Sequence, residues 1–359
     1  MLKKLDIYII RKFLGTFFYA IALIIIVVVI FDISEKIDDF IERKAPLHAI
    51  IFDFYLNFIP YFVNLFSPLF TFVAVIFFTS KMASNTEIIA ILNAGVSFKR
   101  FLLPYVLSAV VIGLMTFYLA NFLIPNVNVH RLAFEKKYIN GNSKTIKTNF
   151  HFQVERGTYM YLEGYDDNSR TGYRFSIEKI NETGLYYKLT ADQISWDSLS
   201  GKWDIRNYIV RNINGVNETF TKGEKLEMNM NIHPSDFTKE NKDVETMDYM
   251  QLRKFIAQEK LRGSDRIKFY EVEKYQRIAY PFATIVLTLI GVSLSSRKVR
   301  GGIGLNLAFG LAITFSFILF MKISTVFATS GNLPAYLSVW IPILVFGLMA
   351  MQLLRKAPK

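Results

Sequence analysis

FLGTFFYAIALIIIVVVIF, residues 13–31, runs for 19 residues without a charge. At about 1.5 Å per helical residue that crosses a hydrocarbon core of about 30 Å. It reads as a membrane span and not as a cleaved signal peptide, whose apolar region is shorter and ends in small residues; here the run ends in Phe31-Asp32-Ile33. Working outward, Phe54 to Ser80 is a second uncharged run of 27 residues containing Pro60 and Pro68, and Phe101 to Val127 is a third, containing Pro104 and Pro125. A long polar stretch follows. Ile278 to Ser296 (19 residues) and Gly301 to Met321 (21 residues) are the fourth and fifth runs. The fifth continues to about Ala328, where Ser330-Gly331-Asn332-Leu333-Pro334 supplies turn chemistry, and a sixth extends from about Tyr336 to Leu354. The expected fold is an α-helical membrane protein with six transmembrane helices, three on each side of an inserted polar domain of roughly 150 residues.

Charge orients the spans. The 359 residues carry 42 Lys+Arg against 30 Asp+Glu, a net of +12, with no cysteine and 52% apolar residues. A mean hydropathy of +0.27 beside 20% charged residues implies two solvents. This composition excludes a disordered chain, a disulfide scaffold and a cysteine-based metal or redox site. Lys3, Lys4, Arg11, Lys12, Lys81, Lys99, Arg100, Arg297, Lys298, Arg300, Arg355, Lys356 and Lys359 lie on the two termini and the second-to-third and fourth-to-fifth connections. Those 13 basic residues face only Asp6 and Glu87, a net of +11, so everything else carries +1. The positive-inside rule then puts both termini in the cytoplasm and the polar insert on the opposite side. The excess is an orientation signal, and nucleic acid drops out as a partner.

Within the insert, Asn149 to Ile232 has the period-two pattern of a β meander. Turn signals fall at Arg156-Gly157, Ser200-Gly201 and Asn214-Gly215, the last a strong two-residue hairpin. Six to eight strands predict a sandwich or open roll, with Trp203, Ile205 and Ile209 on one face and Asp204, Arg206 and Tyr208 on the other. An ordinary packed module and a lipid-accepting groove both fit this pattern. Val244 to Arg277 returns to helical spacing, as short amphipathic helices separated at Gly263 and leading into the fourth span. The expected domains are 1–135 (first three spans), 136–243 (β domain) and 244–359 (connector and last three spans).

Little in the chain looks catalytic. His48, His130, His151 and His233 have no metal-ligand spacing, and no GxxxxGK[ST] phosphate loop is present, so the chain does not read as its own ATPase. Gly301-Gly302-Ile303-Gly304 opens a span, with no strand before it, and Asp166-Asp167 lies in a turn-rich loop.

Two segments stand out instead. Between the second and third spans, Ser84, Asn85 or Thr86 can cap a helix, Glu87 suits its first turn and Gly95 its end. Ile88, Ile91 and Leu92 form one stripe on this two-turn helix, about 84–95, which needs a docking surface to be stable. That surface is either its own bundle or a cytoplasmic motor. At the exit of the first span, Ile33, Ile37, Phe40 and Ile41 keep the helical stripe for two or three more turns. Lys36, Arg43 and Lys44 there could meet lipid phosphates, or form an exposed helix face paired with neighbouring acids. Lys322, about 20 residues into its helix, could snorkel to the outer surface or touch a substrate.

In this order the motifs resemble the LptF/LptG permease family of the lipopolysaccharide-exporting ABC transporter. The resemblance rests on the span layout, on Glu87-Ile88-Ile89-Ala90 followed by Ala94-Gly95-Val96-Ser97, and on Pro60 and Pro68. Arg277-Ile278-Ala279-Tyr280-Pro281-Phe282-Ala283 and the Ala191 to Asn207 stretch with Asp197, Trp203 and Asn207 complete it. Ser34-Glu35-Lys36-Ile37-Asp38-Asp39 resembles LptG more than LptF. The resemblance implies a periplasmic β-jellyroll, a paralogous LptF/LptG-type permease as partner, an LptB-type cytoplasmic ATPase dimer, an LptC-type bridge protein, and lipopolysaccharide as substrate. It implies an inner-membrane location and no cofactor on this chain, with ATP and Mg on the ATPase subunits. It makes Glu87 an ATPase contact, Ile88, Ile91 and Leu92 the stripe filling the docking cleft, Gly95 its terminator, and Lys36, Arg43, Lys44 and Lys322 lipid-binding. A permease for another lipid or lipoprotein and a non-transporting scaffold for the β module are the alternatives.

Overall fold

A computed structural model describes residues 3–139, 147–167, 169–230, 232–238, 241–264, 266–297, 302–331 and 333–356. Lys298, Arg300, Gly301, Asn332 and Lys359, which entered the charge and turn readings, lie outside the described residues. Among the described residues six helices are long and apolar enough to cross a membrane: α1 (Lys4–Glu42), α2 (Leu47–Ser84), α4 (Phe98–Tyr138), α7 (Ile267–Ser295), α8 (Gly302–Thr329) and α9 (Ala335–Arg355). The short α3 (Glu87–Asn93) joins α2 to α4. Strands β1 (Lys147–Glu155), β2 (Thr158–Asp166), β3 (Thr171–Asn181), β4 (Gly184–Asp197), β5 (Lys202–Asn214) and β6 (Asn217–Met228) follow α4. Then come α5 (Pro234–Thr238), a 3-10 turn (Asn241–Thr246) and α6 (Tyr249–Leu261), and a turn at Gly263 leads into α7.

The chain divides into two compact units: residues 1–141, 245–249 and 268–359, and residues 142–244 and 250–267. In the helical unit, α1 runs unbroken past Phe31 to Glu42, as its continuing stripe predicts. Pro60 and Pro68 sit inside α2 and Pro104 inside α4, and single π-helical turns interrupt α2 at Ile50–Tyr55 and α4 at Leu119–Leu123. One core gathers Ile9, Phe13 and Phe17 of α1, Ala74, Val75, Phe78 and Met82 of α2, and Phe101, Tyr105 and Ile112 of α4. A second joins Phe72 and Ile76 of α2 to Leu287, Phe317, Met321, Val339 and Phe346 of α7, α8 and α9. Helix α8 passes α2 so closely that a Cβ at Gly310 would run into Ile76 Cδ1; small residues at such crossings let membrane helices gain packing that lipid cannot supply.

The second unit is built on one antiparallel sheet in the order β1-β2-β3-β4-β5-β6, each strand beside its sequence neighbour. The described strands form a single meander. Its inner face buries Met160, Leu162, Phe175, Ile177, Leu189, Trp203 and Ile205 with Phe237 of α5. The Trp203 indole donates to the Ile232 carbonyl at 2.9 Å.

A crease crosses all six strands. Pairing skips one rung on every ladder, along the row Asn149, Glu163, Arg174, Asp192, Asn207 and Glu224. On alternate strands the row residue is left-handed: Asn149 at φ 61°, Arg174 at φ 52° and Asn207 at φ 52°. A residue in that region breaks the strict alternation of faces. This overturns the facing expected for β5: after Asn207 it is Tyr208 and Val210 that pack against the core, and Ile209 is exposed. Arg174 to Glu163 (2.8 Å) and Asn207 to Asp192 (3.2 Å) link side chains along the crease.

Candidate functional site

Helix α3 is seven residues long, too short to persist alone. Its end is a Schellman motif: Gly95, at φ 82°, donates to the Leu92 carbonyl at 3.0 Å and Val96 to that of Ile91 at 3.4 Å. At its start, Thr86 is left-handed (φ 60°) and makes no side-chain cap bond; Asn85 Nδ2 reaches Glu87 Oε1 at 3.1 Å instead. The apolar stripe is turned inward. Ile88 is 1% exposed in the α1–α2–α4 core, and Ile91 and Leu92 pack against the same core. The surface left outward is Ile89, Ala90, Asn93, Ala94 and Gly95, with Glu87 at its edge. The stripe therefore seats the helix on its own bundle.

Two contacts tie this region to α1. The Tyr8 hydroxyl donates to Glu87 Oε2 at 3.4 Å. Arg100, in the first turn of α4, makes a two-pronged bond to Asp6 at 2.8 and 2.5 Å, and the Lys3 backbone N–H adds 2.7 Å to the same carboxylate. Asp6 is 4% exposed and Arg100 33%. Sequence reading counted Asp6 only as a minor acid among basic residues and missed this pair, because nothing in spacing connects positions 94 residues apart.

At the other end of α1, Lys36 does not stand free. Its ammonium meets Asp32 Oδ1 at 2.5 Å and lies over the rings of Phe54 (4.9 Å) and Phe58 (5.7 Å), while Tyr55 donates to Asp32 Oδ2 at 3.0 Å. Phe54, Phe58, Phe62, Phe66 and Phe70 form a ladder of rings along one face of α2. Arg43 is half-buried at the end of α1, whereas Lys44 and Lys322 are exposed. The four cations are not brought together into one described cluster.

The same helical unit holds a polar cluster that sequence reading also missed. Arg131 of α4 reaches Glu245 Oε2 at 2.9 Å and Glu135 at 3.6 Å, with its guanidinium 5.0 Å over the Tyr61 ring. Arg277 of α7 donates to Glu273 at 3.1 Å and to the Met247 carbonyl at 2.7 Å. Spacing gave little signal, because Arg131 and Arg277 sit among other charges in their helices (Glu135, Lys136 and Lys137; Glu271, Glu273 and Lys274) and their partners at 245–247 come from a distant loop. Among the described residues no three His, Asp or Glu side chains are placed to hold a metal ion.

Helices apolar enough for a bilayer, with a short helix braced at the junction of two of them, define a multi-pass membrane protein. A family model described as "Lipopolysaccharide export system permease LptF/LptG" matches residues 7–356, and the chain belongs to that family. It is thus a multi-pass inner-membrane permease subunit of lipopolysaccharide export. None of the curated proteins compared matches it.

Proposed function

We propose that this chain is one of two LptF/LptG-type permeases that together extract lipopolysaccharide from the outer leaflet of the inner membrane. A cytoplasmic ATPase dimer of the LptB type grips α3, ATP binding closes the cavity between the permeases, and the lipid passes to an LptC-type periplasmic bridge. Both termini and α3 face the cytoplasm and the sheet faces the periplasm, on the strength of the +11 carried by the short basic segments. The sheet serves as the family's jellyroll module, within a layout of three spans, β domain (136–243) and three spans. Nucleotide and Mg bind the ATPase and not this chain.

The observation that carries the reading is the seating of α3. A motor transmits a push through a helix that is held firmly from behind and accessible in front. Ile88, Ile91 and Leu92 hold it from behind; Glu87, Ile89, Ala90 and Asn93 face forward. Glu87 is the proposed polar contact and Gly95 the terminator that lets the chain turn into α4. For the lipid, Arg43 and Lys44 are the proposed phosphate contacts at the outer rim, with Lys322 on α8. Lys36, neutralised by Asp32, sets the base of that rim.

The test is co-purification with the ATPase. Glu87→Ala should lower ATPase recovery while membrane insertion stays intact; unchanged recovery and unchanged transport remove the role. A photo-crosslinker at Lys44 should capture lipopolysaccharide in cells. Capture of phospholipid alone favours a permease for another lipid.

A further inference from the structure

The five residues Glu245–Tyr249 belong to the helical unit, yet the chain on either side, up to Val244 and from Met250, belongs to the sheet-bearing unit. Such a short excursion has no core of its own and must be held by side chains of the helices. Three described bonds contribute to this. Arg131 grips the Glu245 carboxylate at 2.9 Å, Asn128 Nδ2 donates to the Glu245 carbonyl at 3.2 Å, and Arg277 donates to the Met247 carbonyl at 2.7 Å. Asn128 and Arg131 come from α4 and Arg277 from α7. Both arginine side chains are nearly buried, at 7% and 6% exposure.

A static anchor needs none of this. Apolar packing of the same volume holds a segment as well as a buried ion pair, or better, because the pair loses its hydration. What an ion pair adds is discreteness: it can exchange partners. Arg131 has two carboxylates within reach, Glu245 on the segment and Glu135 one turn along its own helix. One guanidinium between two carboxylates has two well-defined states, segment held and segment released.

We propose that Glu245–Tyr249 is a transmission strap, and that Arg131 and Arg277 are positioning residues that pass rearrangement of α4 against α7 into the sheet-bearing unit during transport. When α4 and α7 shift, Arg131 trades Glu245 for Glu135 and the strap moves; its ends are covalently continuous with the sheet-bearing unit. The proposal rests on the transporter reading above and adds to it the route from the spans to the β module.

The absence of cysteine makes the test clean. Asn128→Cys with Glu245→Cys, bridged by a disulfide or a short reducible bis-methanethiosulfonate, locks the strap to α4 in the otherwise native complex. The locked chain should keep its ATPase partner, and the complex should hydrolyse ATP within about twofold of the complex with the reduced chain. The reduced chain, which lacks the Glu245 carboxylate, should release lipopolysaccharide below the wild-type level; locking should lower release at least a further fivefold, and reduction should restore the starting level. A merely structural role predicts that locking leaves release untouched, and that result overturns the proposal. Failure of the two thiols to cross-link contradicts the placement of the strap and overturns it too. Glu245→Gln, which weakens the grip without a lock, should lower release with complex yield unchanged, and unchanged release would count against the strap. If the wild-type complex itself releases no lipopolysaccharide with ATP, the transporter reading has failed instead.

Discussion

Replacing Arg100 with alanine should damage the protein more than replacing its partner Asp6, although the same two hydrogen bonds are lost. The asymmetry comes from burial, 4% exposure for the carboxylate against 33% for the guanidinium. Arg100→Ala strands a buried carboxylate, for which an uncompensated charge costs about 3–5 kcal/mol. The Lys3 N–H, still donating at 2.7 Å, offsets part of that. One charge-assisted hydrogen bond is worth about 1.5–3 kcal/mol, so the net loss should be about 2–3 kcal/mol. Asp6→Ala frees an arginine that already reaches water. Its loss is chiefly that of an N-terminal helix acid and its reciprocal bond with Lys3, about 1 kcal/mol. The double variant should lie near Asp6→Ala, giving a coupling of about 2–3 kcal/mol of opposite sign to the single losses. Mixed-micelle unfolding by dodecyl sulfate, followed through Trp340 of the helical unit after replacing Trp196 and Trp203, gives the three values. Equal losses, or a larger loss for Asp6→Ala, would refute the burial argument and with it the claim that this pair fixes α1 against the start of α4.

Three further outcomes follow from the sheet. Trp203→Phe removes the donor to the Ile232 carbonyl and leaves a void under Phe237, so urea unfolding of the sheet-bearing unit should show a loss of about 3 kcal/mol. Asn207→Val puts a β-branched residue at φ 52° and should cost about 1–2 kcal/mol by the same measurement, whereas Asn207→Gly should be neutral or slightly stabilising. Burial pushes the Tyr165 hydroxyl from 10.0 up to about 12. The folded state therefore favours the protonated form, and this contribution, about 2 kcal/mol, is complete below pH 10 and lost as pH rises from 10 to 12. Tyr165→Phe should flatten the alkaline fall in stability relative to wild type; an identical profile in both would show that Tyr165 does not carry it.

The spans were legible because a bilayer demands about 20 apolar residues in a row, and no other structure explains six such runs. The hairpins were legible where turn chemistry is explicit, at Gly157, Gly201 and Asn214-Gly215. The crease was not. Asn149, Arg174 and Asn207 adopt a backbone that most residues avoid, and period-two counting has no term for it, so the face of β5 came out reversed beyond Asn207. The short helix shows a different limit. Its stripe of Ile88, Ile91 and Leu92 was readable, but amphipathicity names a buried face without naming what buries it; here the bundle does. Lys36 had Asp32 visible at i−4, yet Phe54, Phe58 and Tyr55 come from another helix. The clamps of Asp6 with Arg100, and of Arg131 and Arg277 with 245–247, depend on tertiary proximity alone.

On the proposed mechanism, the chain moves lipopolysaccharide when a partner ATPase pushes on α3. The most direct measurement is lipopolysaccharide release from proteoliposomes containing this chain, its paralogous permease and the ATPase, with a periplasmic acceptor present. Release should require ATP and this chain, and should fall several-fold with Glu87→Ala while the lipid remains bound. Release that proceeds equally without ATP or without this chain would contradict this mechanism.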